Sequence, residues 1–328
     1  MNPAILAARG VTQSFAGGWR GHAVRAVDGV DLDVREGETL AIVGESGSGK
    51  SSLARLLLAL SRPDGGKILY RGADLAGISR ARHREYRRDV QAVFQDPAAS
   101  LNPRMRVRDT LSYVILEHGL ATRATVGATI AAELAAVGLT PPELFMPRFP
   151  HQLSGGQQQR IAIARAMALR PRLIIADEPL SSLDISVQTQ LLELMMDLQR
   201  RTGVGFVVIS HDLGAVEAIA DRVAVMYRGR IVEIGRQVLT HPSHPYTRAL
   251  LDAKLSMDPR AARARTRIML AGDAPAPLPE AAGCGFRDRC AQAMPVCARA
   301  TPMLAAFDEA GGAVACHFAA TYAEQGER

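Results

Sequence analysis

Residues 44–51 read Gly44-Glu45-Ser46-Gly47-Ser48-Gly49-Lys50-Ser51, the spacing G-x-x-x-x-G-K-[ST]. The glycines let the backbone curl until its N–H groups point inward and form a nest for phosphate oxygens. A helix starting near Lys50 adds the positive end of its dipole. Lys50 brings a cation to the β- and γ-phosphates, and the Ser51 hydroxyl, followed by Ser52, can ligate Mg²⁺. An apolar run, Thr39–Val43, precedes the loop and an apolar segment, 52–60, follows it. The pattern thus sits between a strand and a helix, as this chemistry requires. Lysine is rare elsewhere: only Lys67 and Lys254 accompany Lys50, and the rest of the 39 basic residues are arginines.

A second chemical group closes the apolar run 172–176, which ends in Asp177 and Glu178. Unpaired buried anions are expensive, so two carboxylates at the end of a buried strand need a reason. A magnesium ion held by Asp177 beside bound phosphate is one. Glu178, one residue on, then polarises an attacking water as general base. The plainer alternative is that either carboxylate caps the following segment. These two sites together point to nucleotide hydrolysis.

A third stretch, Leu153-Ser154-Gly155-Gly156-Gln157, continues as Gln158-Gln159-Arg160. Read from its residues, it is a serine N-cap with two glycines opening a helix. That is either a second anion-binding helix terminus or a simple cap. The stretch resembles the signature sequence of ABC-type ATPases, and further positions match that family's pattern in order. Gln95 follows the predicted strand 90–94, where the family has its magnesium-sensing glutamine. Ser181-Ser182-Leu183-Asp184 sits where the family has its D-loop, although Ser182 stands where alanine is commoner. His211 follows the predicted strand 206–210 and matches the histidine that contacts the γ-phosphate. Phe15 lies near the adenine-stacking position, with aromatic core packing as an alternative and Trp19 as a rival.

The resemblance covers about residues 5–255. It implies an α/β P-loop NTPase fold: an ABC cassette with a RecA-like core, an antiparallel β-subdomain and a helical subdomain near 96–165. It further implies that ATP and Mg²⁺ are bound between two cassettes. Gly44 to Ser52, with Lys50 and His211, then act in cis; Ser154, Gly155, Gly156 and Gln157, with Asp184, belong to the shared seam. Ser51, Gln95 and Asp177 are the magnesium residues, and Glu178, His211 and Gln95 the catalytic ones.

Two further stretches resemble one branch of that family, the ATP-binding subunits of bacterial peptide and nickel importers. They are Phe94-Gln95-Asp96-Pro97-Ala98-Ala99-Ser100-Leu101-Asn102-Pro103-Arg104 and His241-Pro242-Ser243-His244-Pro245-Tyr246-Thr247-Arg248-Ala249-Leu250-Leu251. The prolines beside His241 and His244 favour a structural turn over a metal site. The branch implies two membrane permease subunits, an extracytoplasmic substrate-binding protein and a second ABC ATPase subunit, a paralogue or a second copy. The implied location is the cytoplasmic face of the membrane. The alternative from another class is a soluble ABC ATPase acting on nucleic acid or ribosomes, against which stand the single cassette and the lack of a sustained heptad.

The elements that must position these residues alternate, which argues α/β. Strands are expected at 30–34, 39–43, 90–94, 172–176, 206–210, Arg222–Tyr227 and 230–234. Helices are expected at 52–60, over much of 105–140 with a break at Pro141-Pro142, and at 185–200. Residues 258–283 are rich in Pro, Ala and Arg and read as a linker. The expected division is therefore a cassette over 1–257, the linker 258–283 and a small tail over 284–328.

The tail holds all four cysteines, Cys284, Cys290, Cys297 and Cys316, spaced C-x5-C-x6-C-x18-C. Disulfides are disfavoured in a cytosolic protein, and the close pairs usual for zinc are missing. A [4Fe–4S] cluster held by four thiolates, zinc and plain reduced thiols all stay open. Some members of the resembled branch carry a similarly spaced set thought to bind such a cluster.

Composition sets the outer bounds. The chain has 328 residues, a hydrophobic share of 48%, a charged share of 22% and a net charge of +6, ordinary globular material. No apolar run approaches a membrane span. The first residues, Met1 to Leu6, lack a basic segment before an apolar core, which predicts a chain kept in the cytosol. The densest basic run, Arg80, Arg82, Arg84, Arg87 and Arg88, lacks the interleaved aromatics of a base-stacking surface and reads as a solvated helix face.

Overall fold

The computed structural model describes residues 3–15, 24–181, 183–253, 283–307 and 311–319. The chain forms two compact units, one from Met1–Ile5, Val34–Thr39 and Tyr70–Ser210, the other from Leu6–Asp33, Leu40–Leu69 and His211–Arg328.

In the first unit three parallel strands run side by side: β6 (Val90–Val93), β7 (Leu173–Asp177) and β8 (Gly205–Ile209). β7 and β8 are near-continuous apolar runs because both faces of a parallel sheet are covered. The register pairs Asp177 with Ile209 and Val93 with Ala176, so the carboxyl ends of the strands finish at one level. The two-residue strand β5 (Ala73–Asp74) and helix α2 (Arg80–Asp89) precede β6. Of its residues only Tyr86 is buried, so the arginine run does form a solvated face. A helical layer follows β6: α3 (Pro97–Ser100), α4 (Val107–Glu117), α5 (Val126–Ala136) and α6 (Gly155–Met167), with single 3-10 turns at Pro142–Leu144 and Pro150–Gln152. Helix α7 (Ile185–Thr202) leads into β8. Gly203, in the left-handed region at φ 72°, ends it.

In the second unit β3 (Thr39–Val43) runs parallel to β9 (Arg222–Tyr227), matching Leu40 to Arg222 and Val43 to Val225. β9 turns through Arg228-Gly229 into antiparallel β10 (Arg230–Gly235). The long strands β1 (Ala4–Phe15) and β2 (Val24–Arg35) and the shorter β4 (Gly65–Tyr70) lie side by side in the order β2-β1-β4. Helices α1 (Lys50–Leu57), α8 (Leu213–Ile219) and α9 (Pro245–Asp252) also belong to this unit.

Residues 283–307 and 311–319 belong to this second unit. Its strand β12 (Ala313–Val314) pairs antiparallel with β10, Val314 opposite Glu233, and β11 (Ala305–Ala306) pairs with β12. Its Phe286 joins a buried cluster with Val43, Val225, Tyr227 and Tyr246. The expected linker 258–283 lies outside the described residues except for Gly283. Among the described residues no helix is long and apolar enough to cross a membrane.

Candidate functional site

The second unit carries residues 44–51, the expected phosphate loop. Every residue of β3 is buried, so the strand is a rigid base for the turn that follows. Gly44 has φ 151°, and a Cβ there would lie 2.1 Å from the Met226 carbonyl oxygen. Gly49 has φ 101°, and its Cβ would lie 2.0 Å from the Ala26 carbonyl oxygen. Only glycine fits at either position. The Gly229 N–H donates to the Ser48 carbonyl at 2.8 Å, tying the loop to the β9–β10 turn.

Helix α1 opens at Lys50 with Gly49 as its cap, without a side-chain cap or an acidic residue in its first turn. That terminus is suited to an anion. Lys50 is 5% exposed. Its Nζ donates to the carbonyls of Gly44 and Glu45, both at 2.8 Å, and to Ser48 Oγ at 3.2 Å. The ammonium thus lies folded over the loop that a triphosphate would fill. Ser46 and Gly47 are exposed at its crest, Ser51 is exposed and Ser52 half-buried at the start of α1.

Phe15 closes β1 and is 46% exposed, so it is free of the core packing that rivalled its stacking role. Its other rival, Trp19, lies outside the described residues. His211 follows β8 by two residues and is exposed. Asp212 beside it caps α8, its Oδ1 accepting the N–H of Gly214 at 2.8 Å and of Ala215 at 3.2 Å.

The first unit carries the carboxylates. Asp177 is the half-buried last residue of β7. Glu178 takes a left-handed backbone, φ 45°, a conformation that costs a non-glycine residue energy and gathers at functional sites. Its N–H donates to the Ile209 carbonyl at 2.9 Å, and its own carbonyl accepts from Ser181 Oγ at 2.9 Å. Its Oε2 accepts from Gln95 Nε2 at 3.0 Å. Two residues 83 positions apart are thus joined at the exposed end of the parallel strands.

Ser154 does cap α6. Its Oγ accepts the Gln157 N–H at 3.3 Å, and Gln157 Oε1 accepts the Ser154 N–H at 3.1 Å, a reciprocal capping box. Ser154 and Gly155 are exposed. A Cβ at Gly156 would lie 2.6 Å from Val187 Cγ1, and one at Gly155 3.3 Å from Leu183 Cδ2. The glycines therefore let the start of α6 approach the segment that opens α7. Asp184 is the exposed residue at the N-cap of α7 but makes no side-chain cap bond; Ile185 next to it is 77% exposed. Cap and exposed anion terminus coexist at Ser154, so the two readings of that stretch are not exclusive.

Ser51, in the second unit, offers a hydroxyl, and Asp177 and Gln95, in the first, offer a carboxylate and an amide oxygen. Each is a hard donor whose chemistry suits magnesium. The four cysteines behave otherwise. They line one cavity with His317, but its volume is only about 10 Å³, the space of one water. Among the described residues no group of three or more His, Cys, Asp or Glu is arranged to hold a metal ion. The iron–sulfur expectation and the zinc alternative therefore find no support here. Burial raises the thiol pKa of Cys284, Cys290 and Cys316, and the neighbouring thiols add to it.

Sequence reasoning gave no role to Tyr246, whose Oη accepts the Glu45 N–H at 2.8 Å. Its only sequence signal was its place in the proline-rich turn. His244 in that turn is a cap: Nδ1 accepts the Tyr246 N–H at 3.0 Å. Burial lowers its pKa to about 4.

With this geometry in place, the comparisons are specific. The family described as ABC transporter matches residues 27–181, and the family described as oligopeptide/dipeptide transporter, C-terminal region, matches residues 232–297. A putative oligopeptide transport ATP-binding protein of Bacillus subtilis, YkfD, is 46% identical over 90% of this chain and 89% of its own. The oligopeptide transport ATP-binding protein OppF of Salmonella typhimurium is 45% identical over 86% of this chain and 84% of its own. The di/tripeptide transport ATP-binding protein DppF of Pseudomonas aeruginosa is 43% identical over 96% and 98%. Among solved structures, cbiO1 of Clostridium perfringens, part of an ABC transporter complex, superposes with TM-score 0.62 at 26% identity, over 72% of this chain and 89% of that one. An ATP-binding cassette solved as a dimer after hydrolysis, with ADP and phosphate, gives TM-score 0.63 at 28% identity over 70% and 98%. The reading as an ATPase of nucleic acid finds no support in these relatives. The chain belongs to the ABC transporter family, in the branch of ATP-binding subunits that carries the oligopeptide/dipeptide C-terminal region, and it is an ATPase with the P-loop cassette fold.

Proposed function

We propose that this chain powers the import of oligopeptides or dipeptides, working at the cytoplasmic face of a membrane on two permease subunits. The observation that carries the reading is the matched C-terminal region at 232–297 on an intact cassette, shared with relatives named for peptide transport. The expected partners are a second ATPase subunit and an extracytoplasmic binding protein that selects the peptide. Residues 1–257 then form the cassette and 284–328 the tail, joined by 258–283.

Two cassettes clamp each ATP in this account. Gly44 to Ser52 of one subunit hold the triphosphate, with Lys50 turned from its own loop carbonyls onto the β- and γ-phosphates. Ser154, Gly155, Gly156 and Gln157 of the other subunit present the capped terminus of α6, with Asp184 beside them. Phe15 stacks on adenine. Magnesium, when bound by Ser51, Asp177 and Gln95, neutralises charge on the phosphates. Glu178 orients and deprotonates the attacking water, and Gln95, hydrogen-bonded to it, sets its carboxylate in place. His211 steadies the γ-phosphate. Closure of the seam excludes water and aligns the reactants, and that positioning supplies much of the rate.

The test is reconstitution. Chain, permeases and binding protein in liposomes should accumulate a peptide only with ATP-Mg, and hydrolysis should rise when the loaded binding protein is added. Peptide uptake that proceeds unchanged without this chain would sink the reading.

A further inference from the structure

Glu45 puts a carboxylate in residues 44–51, where its charge repels an anion received by the neighbouring N–H groups. The structure shows what opposes that repulsion. Arg289, from the segment beyond the linker, places Nη1 2.9 Å from Glu45 Oε2 and Nη2 3.0 Å from Oε1. This is a two-pronged guanidinium–carboxylate pair, the strongest kind of side-chain ion pair. The Arg289 side chain is 6% exposed and that of Glu45 22%, so solvent screens the pair poorly.

The pair is held from both sides. Arg289 Nη1 also donates to Tyr227 Oη at 3.4 Å, and the guanidinium lies 6.0 Å from the Tyr227 ring centre. The Arg289 N–H donates to the Phe286 carbonyl at 3.0 Å. Phe286 in turn packs edge-on against Tyr227 at 5.4 Å and against Tyr246 at 5.5 Å. On the loop side the Glu45 N–H is fixed by Tyr246 and its carbonyl by Lys50. Glu45 is therefore anchored at its amide, its carbonyl and its carboxylate, and two of those anchors come from chain segments far beyond the loop.

We propose that Arg289 is a positioning residue of the nucleotide site: it neutralises and holds Glu45, so that the segment beyond the linker sets the affinity of the phosphate loop for ATP. The proposal rests on residues 44–51 being the nucleotide site. With Arg289 in place the loop presents a neutral pair to the triphosphate. Without it, an unpaired carboxylate faces the incoming phosphates.

The test is the KM for ATP and the kcat of the full chain, with melting temperature read alongside. Arg289→Ala should raise KM about tenfold while kcat stays within about twofold, since the effect acts on binding. Removing the offending charge in the same background, Arg289→Ala with Glu45→Gln, should return KM to within about threefold of wild type. A purely structural role for Arg289 predicts no such rescue. An unchanged KM in Arg289→Ala, or a double variant as weak as the single one, overturns the proposal. Should Arg289→Ala fail to fold, Glu45→Gln alone decides. It leaves an uncompensated cation beside the phosphates and should lower KM; a raised or unchanged KM refutes the idea. Lys50→Ala is run in parallel. Normal ATP affinity in that variant overturns the reading of the loop and the proposal with it, whereas lost affinity there beside an unaffected Arg289→Ala overturns this proposal alone.

Discussion

Gln95 Nε2 lies 3.0 Å from Glu178 Oε2, so an amide placed after β6 holds the carboxylate that follows β7. The bond joins the start of the helical layer to the carboxyl end of the parallel strands. A change in how Gln95 sits is felt directly by Glu178.

Glu178→Gln keeps the shape and hydrogen-bonding capacity of the side chain and removes its basicity. ATP binding should persist while turnover falls about 10²- to 10⁴-fold. Size-exclusion chromatography with ATP-Mg should then show a trapped dimer. Wild-type turnover would refute Glu178 as the base.

Gly156→Ala brings a methyl carbon against Val187 Cγ1 at 2.6 Å, so the β-branched side chain in the first turn of α7 has to shift. The expected loss of stability is about 1–3 kcal/mol. Gly155→Ala meets Leu183 Cδ2 only at 3.3 Å and should lose less than about 1 kcal/mol. Thermal melts of the two variants should keep that order.

The His244 imidazole is 1% exposed, and burial lowers its pKa from 6.5 to about 4. Its stabilising contribution is complete above pH 6.5 and is lost progressively as pH falls from 6.5 towards 4, because there the unfolded chain binds the proton more readily. The full difference is about 3 kcal/mol. His244→Asn keeps a capping acceptor and removes the titration, so its melting temperature should fall less over that window. Glu233, whose carboxyl burial pushes upward, titrates in the opposite sense and is common to both proteins. Identical pH profiles for the two proteins would refute the assignment.

Phe286→Ala empties a site that is 2% exposed among Tyr227, Tyr246 and Val43. The expected cost is about 3–5 kcal/mol. Limited proteolysis should cut the variant within 284–319 at protease levels that leave the parent intact there.

Much of the cassette was legible because its signals are local. Thr39–Val43 and Arg222–Tyr227 are short apolar runs bounded by turn residues, and both strands match the expected limits. Residues 44–51 and 154–157 declare their chemistry through glycine, lysine and serine at fixed spacing. The long strand β1 was missed because Gly10, Arg9 and Gln13 interrupt its apolar pattern. It holds together through partners instead, such as the Gly10 N–H donating to Asp31. In the sequence the tail is marked only by its four cysteines. Its packing depends on Phe286 meeting Tyr227 and Tyr246, a relationship between distant segments that leaves no local trace. The cysteine spacing suggested a cluster, but spacing fixes only order along the chain. Whether four thiols surround a usable volume is decided by the fold, which leaves them about 10 Å³.

The Arg289–Glu45 pair spans 244 residues of chain. At a ribosome adding about 5–20 residues per second, the loop emerges some 10–50 s before its arginine. During that interval the newborn cassette carries an uncompensated glutamate in its phosphate loop. In the proposed arrangement, completion of the polypeptide, rather than folding of its first half, gives residues 44–51 their working charge. A chain cut short after Ala253 keeps every residue of 44–51 and lacks the arginine that pairs with Glu45.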